Sequence, residues 1–335
     1  MDRRGAVTSG TMGAEIVQFA DPLNPLGWVA EPTRRRVALA YPDAAWTVRP
    51  VGMVESWDAY DGPEVQGGRA GVAATCARLA EQYGMPIDEY LWFDDPPESS
   101  WPACRAIAAA GLQDEGDAED RTGPGLATRL LRACREATFA RRRSISDDAA
   151  LRAVIESVPD LDADALATAL DDGRADDAFR AAREAARELD APGVERAGDR
   201  PVLPTLVVRA DGDARAVSGV TDVAAVREAF EAVAGIEPAD ETAGVGQLIE
   251  RFSAEGWVSR AELEHLTGRS PDEVEATVAE LVDSGEVVGE TYAAEPFWRL
   301  RAYVPEEEMD DASGEVDGAE SDEATEPTGS TSESS

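Results

Sequence analysis

The chain has 335 residues, 43% of them hydrophobic, enough for one medium domain and a smaller one with well-filled cores. Its charge is extreme: 31 basic residues, every one of them Arg, face 68 Asp and Glu, for a net −37. Such a balance fits a cytoplasm at molar salt, where a Debye length of roughly 3 Å screens a dense acidic surface, so it says more about solvent than about a basic partner. No apolar run approaches the roughly 18 residues of a membrane span, and "MDRRGAVTSGTMGAE" has no apolar core of a secretory signal. A cytoplasmic protein without a membrane partner is expected, its three cysteines (Cys76, Cys104, Cys134) free thiols.

In chain order, residues 1–13 read as a disordered leader. "AEIVQFAD" (14–21) is an apolar run stopped by Asp-Pro, a strand. A helix is predicted from Trp28 to about Tyr41, interrupted early by Pro32, and Trp46 and Val48 alternate in a second strand over 45–53. Two parallel strands joined by a helix make a right-handed βαβ unit. Amphipathic segments follow: 68–84 with Val72, Cys76 and Leu79 in one stripe, 99–113 opened by a serine cap with Pro102 in its first turn, 125–143 with Leu126, Leu130 and Cys134 on one face, and three more before residue 190. "RPVLPTLVVRADGDARAVSGV" (200–220) returns to strand, with a hairpin signal at Asp211-Gly212, and 222–235 is a helix.

After a linker, residues 245–300 read as three short helices and a β-rich end, with a core of Leu263, Leu266, Val274, Val278 and Leu281, a winged-helix pattern. From Pro305 to Ser335 there are twelve acidic residues and no basic one, a disordered acidic tail.

Three stretches carry a family resemblance. "FADPLNPLGWVAEP" is similar to the pattern Asp-Pro-x-Cys-x-x-Cys-Trp-x-x-Glu-Pro: Asp21, Pro22, Trp28, Glu31 and Pro32 match, while Asn24 and Gly27 stand at the cysteine positions. "PVLPTLVV" resembles a Pro-Thr strand in which Pro204 follows a cis bond, and "SSWPACRAIAAAGLQ" resembles the start of an insertion helix. Together with the order of elements, they resemble the DsbA-like thioredoxin-fold family, in the cytoplasmic branch that includes FrnE-like oxidoreductases and YjbH-type adaptors of a Clp protease. The resemblance implies an α/β thioredoxin-like fold over 14–235 with a helical insertion at about 68–190, followed by the winged-helix unit at 236–304 and the tail at 305–335.

In such a site the first cysteine is a thiolate at a helix N-terminus and the second resolves the mixed disulfide. Neither Asn24 nor Gly27 can do either, so dithiol chemistry by this route is excluded. The helix end and the facing cis-proline loop keep the geometry to hold an extended segment, which makes Asn24, Pro25, Leu26, Gly27, Trp28, Leu203, Pro204 and Thr205 the candidate binding residues and an adaptor or peptide-binding protein the expected function. The alternative is a thiol-disulfide oxidoreductase or thiol-dependent isomerase working through Cys104 or a bound small thiol. Cys104 sits in the first turn of its helix, which would lower its pKa, but with Ile107, Ala108 and Gly111 it also forms an apolar stripe that reads as core.

No cysteine pair has CxxC spacing and the single His265 lies outside the thioredoxin unit, so no metal site, cofactor or Cys/His catalysis is expected. The run "DEGDAED" (114–120) lacks the ligand order of a calcium loop. A nucleic-acid partner is not expected either. The would-be recognition helix "SPDEVEATVAELVDSG" carries Asp272, Glu273, Glu275, Glu280 and Asp283 without an Arg, and phosphate contacts need cations. The basic clusters at 33–36 and 140–144 read as helix faces paired with nearby carboxylates.

Overall fold

The computed structural model describes residues 13–56, 67–116, 124–219, 222–239 and 241–304. The expected leader, all but its last residue, the tail at 305–335 and most of the acidic run at 114–120 lie outside the described residues.

Strand β1 (Glu15–Ala20) ends at Asp21-Pro22, and two helices follow where one interrupted helix was expected. Helix α1 is Pro25–Val29 and α2 is Glu31–Ala40; the chain turns at Ala30, and Pro32 falls in the first turn of α2, where its missing N–H costs nothing. Strand β2 (Ala45–Pro50) pairs parallel with β1. The helices α3 (Gly68–Tyr83), α4 (Leu91–Asp94), α5 (Trp101–Gly116), α6 (Leu126–Arg135, continued by a π-helical turn to Ala140), α7 (Asp148–Glu156), α8 (Ala163–Asp171) and α9 (Arg174–Arg187) come next. A short pair, β3 (Arg196–Ala197) and β4 (Arg200–Pro201), leads to β5 (Thr205–Ala210) and β6 (Asp213–Ser218), and α10 (Val223–Ala234) closes this part.

The sheet order is β2-β1-β5-β6, with β5 antiparallel to both of its neighbours. Asp211 and Gly212 both have positive φ (51° and 93°), the turn whose twist matches a two-residue hairpin. Because side chains alternate along a strand, Ile16 and Val208 face α2 and α10, where Val37, Val226 and Phe230 cover them, while Val17, Phe19 and Val207 face Ala186 and Leu189. The insertion's core is continuous with the sheet through Ala20 and Val48, and in it Ala103, Ala106 and Ala110 let α5 approach Leu130, Leu131 and Cys134 of α6 closely.

The last elements are α11 (Val245–Phe252), β7 (Val258–Ser259), α12 (Arg260–Thr267), α13 (Pro271–Asp283), β8 (Val287–Tyr292) and β9 (Glu295–Leu300), with sheet order β7-β9-β8. Ser259 with Glu262 and Ser270 with Glu273 form capping boxes that start α12 and α13. Leu263, Leu266, Val274 and Val278 are buried together, and Leu39 of α2 packs against that cluster.

Candidate functional site

Asn24 is the N-cap of α1: its Oδ1 accepts from the Gly27 N–H at 3.0 Å. The same amide donates through Nδ2 to the carbonyl oxygen of Leu203 at 3.3 Å, and Leu203-Pro204 is a cis peptide. One side chain thus ties the helix to the proline loop. The carbonyl of Leu203, a candidate binding residue, is thereby engaged within the chain. Thr205 is also turned inward, its hydroxyl within reach of the Val202 carbonyl at 2.5 Å and the Ser218 hydroxyl at 2.9 Å.

Gly27 leaves space that another residue fills. A Cβ built there would lie 2.8 Å from the guanidinium carbon of Arg135 and closer still to Nη2. Arg135 is fully buried and pairs with Glu31 at 2.8 Å. The volume that a resolving cysteine would need is therefore occupied by a guanidinium from the insertion. Trp28 is buried between this layer and the chain that follows α3; its Nε1 donates to the Pro86 carbonyl at 2.8 Å and Arg132 lies 4.2 Å over its ring.

Asp21 is buried and well supplied with donors: the Leu23 N–H at 2.9 Å, the Met53 N–H at 2.5 Å and the Ser100 hydroxyl at 2.9 Å. Cys104 faces this carboxylate, with Sγ 3.6 Å from Oδ2, and has no exposed surface. Burial and the Asp21 charge raise its thiol well above the ordinary value, the reverse of the lowering expected from its helix position. Burial likewise pushes Cys76 up to about 11 and Cys134 up to about 12.

Beside α1 lies a cavity of about 320 Å³. Asn24, Pro25, Leu26 and Leu203 line one part of it; Val72 and Leu79 of α3 and Trp92 of α4 line another, and Met53 also borders it. Of the expected binding residues, Gly27, Trp28, Pro204 and Thr205 are not in its lining. The contributions of Met53 and Trp92 were not legible in sequence. Leu79 was, as part of a stripe, but nothing local said that it would face a cavity rather than core.

Behind Arg135 runs a buried ionic seam. Glu31 pairs with Arg34 at 2.7 Å, and Arg34 reaches Glu255 of the C-terminal elements. Arg35 and Arg132 meet Glu262 at 2.9 and 3.1 Å, and Arg132 also donates to the Trp257 carbonyl at 2.7 Å. The helix face expected to pair with nearby carboxylates does so at Arg34 and Arg35, and in the interior, as the joint between α2, α6 and the C-terminal elements. Burial alone would raise the Glu31 pKa; Arg34, Arg135 and Arg132 override it and hold the carboxyl at about 2.

Among the described residues no group of His, Cys, Asp and Glu could hold a metal ion, and no helix is long and apolar enough to cross a membrane. The family model for the DSBA-like thioredoxin domain matches residues 15–231. Two curated relatives are both named ClpXP adapter protein SpxH. The one from Halalkalibacterium halodurans is 31% identical over 140 residues, 40% of this chain and 42% of its own length. The one from Bacillus subtilis is 25% identical over 288 residues, 85% of this chain and 88% of its own length. Among solved structures, a candidate protein disulfide isomerase from Nitrosomonas europaea superposes with TM-score 0.51 at 15% identity, over 66% of this chain and 97% of that one, a likeness of fold.

Proposed function

This chain belongs to the DsbA-like thioredoxin family, and from that premise we propose that it is a non-catalytic member, an adaptor that holds an extended segment of a partner protein against Asn24, Pro25, Leu26 and Leu203. The observation that carries the reading is the replacement of both reacting positions by structural groups. Asn24 spans the helix end and the proline loop, and Arg135 fills the space at Gly27. The apolar cavity beside them persists. A site that has lost its thiols but kept an apolar recess with a polar rim fits binding better than turnover. The naming of two relatives as ClpXP adapters supports a protein partner.

The same reading extends to the C-terminal elements. Residues 236–304 serve as a winged-helix unit for protein contact, since α13 presents Asp272, Glu273, Glu275, Glu280 and Asp283 and would repel a duplex. Residues 14–235 are the thioredoxin unit and the acidic tail follows at 305.

The test is anisotropy of fluorescein-labelled, reduced and carboxymethylated α-lactalbumin on the full chain in molar KCl. Alongside it runs a turnover assay on a small disulfide. Binding that weakens at least tenfold in Leu26→Asp, with turnover at background, is the expected result. Turnover that vanishes in Cys104→Ser, or binding indifferent to Leu26→Asp, would sink the reading.

A further inference from the structure

A second cavity, of about 180 Å³, adjoins the first and shares Met53 with it. Its chemistry is different. Arg183 and Arg187 of α9 and Arg200 of β4 line it, against the carboxylates Glu55 and Asp199. Arg187 is committed to Asp199 at 3.1 Å. Arg183 and Arg200, both half-buried, make no ion pair with another described residue.

Arg183 is nonetheless held in place. Its guanidinium lies 4.3 Å from the Trp101 ring and 5.7 Å from that of Phe179, and the two rings meet edge to face. Trp101 is itself fixed by Nε1 donating to the Gly52 carbonyl at 3.3 Å. Gly52 has φ +69°, and a Cβ there would lie 3.0 Å from Trp101 Nε1, so the backbone beside Met53 comes close to this aromatic pair. A guanidinium stacked on an aromatic face keeps its in-plane N–H edge for a planar anion, and a preorganised fork loses little entropy on binding one.

The setting gives the pocket its selectivity. With 68 Asp and Glu against 31 Arg on the chain, most of the surface offers an acidic ligand no close counter-charge. Here two cations without a carboxylate partner among the described residues border a recess of side-chain size, next to the apolar cavity. Half-burial keeps such a contact effective at salt concentrations that would screen an exposed one.

We propose that Arg183 and Arg200 form a carboxylate subsite that reads one Asp or Glu of the segment held in the adjoining apolar cavity. The segment recognised is then an apolar anchor with an acidic residue beside it, not merely any unfolded chain. This rests on the peptide-binding reading above and narrows it.

The experiment uses the full chain in molar KCl and labelled nonapeptides of Val, Ala and Thr with one central Leu. Glu or Gln is placed at each other position in turn. At one position the Glu peptide should bind about tenfold tighter than its Gln twin. Arg183→Gln and Arg200→Gln should each erase that difference while leaving the Gln peptide's affinity unchanged, which also shows that the variants are folded. Equal affinity of Glu and Gln peptides at every position, with Leu26→Asp still abolishing both, would overturn the subsite and leave the groove. No binding of either peptide would overturn the groove and the subsite with it. Displacement of the Glu peptide by N-acetylglutamate at equal affinity would show a pocket for free carboxylates and overturn the segment as its ligand.

Discussion

At the start of α1 a single neutral amide, Asn24, satisfies a helix end and a loop carbonyl, and beside it a cavity of about 320 Å³ stays open. Seven residues on, Glu31, Arg34 and Arg35 enter a seam with Arg132, Arg135, Glu255 and Glu262 in which every side chain is at most 4% exposed. The first region has a neutral amide at the helix end and has kept room for a ligand. The second has buried charge and kept no room. Arg135 belongs to both, since its guanidinium pairs with Glu31 on one side and fills the place above Gly27 on the other. Loss of the redox pair and the locking of the insertion onto α2 are therefore one structural feature. A buried ion pair adds little net stability over an apolar one, yet removing one partner strands the other. That asymmetry makes the seam a specifier of how the elements meet.

The sharpest way to break the comparison is at Glu262, which serves both Arg35 and Arg132 and caps α12. Glu262→Ala should cost about 3–5 kcal/mol in urea unfolding at molar salt, because two buried guanidinium groups lose their counter-charge. A loss below about 1 kcal/mol would show that the seam is not desolvated as described.

Glu31 offers a pH test of about 3 kcal/mol. Its folded pKa of about 2 lies below the ordinary 4.5, so its contribution is fully present above pH 4.5 and is lost as pH falls through 2. Glu31→Gln should flatten the fall in stability across that window relative to the natural chain. An acid limb with the same slope in both proteins would remove Glu31 from the account.

Smaller, about 1–3 kcal/mol, is the effect expected for Gly27→Cys in an Asn24→Cys background, where the new side chain must displace Arg135. The pair should show turnover on a small disulfide no better than the natural chain. Wild-type stability together with exchange activity would mean that the guanidinium yields freely and that the two regions are not coupled.

Much of the architecture was legible because it is written in local patterns. Asp21-Pro22 stops a strand, Asp211-Gly212 turns a hairpin, Ser259 and Glu262 cap a helix, and each acts within a few residues. Asn24 and Gly27 could be read as a site without thiols for the same reason: neither side chain can form a thiolate whatever surrounds it. That Arg34 and Arg35 would be buried could not be read, because they look the same on a surface helix as in a seam two of whose carboxylates, Glu255 and Glu262, lie more than 200 residues away. The chemistry of Cys104 was equally hidden: a helix's first turn lowers a thiol pKa, but packing beside Asp21 with no exposed surface raises it. What the chain alone determined is the order of elements and the absence of a redox pair, both properties of residue type and spacing. Only the tertiary structure decided which atoms share the space left behind, that Arg135 fills it, that Asn24 engages Leu203, and that two cavities of opposite chemistry meet at Met53, because burial and proximity are set by contacts between segments far apart in sequence.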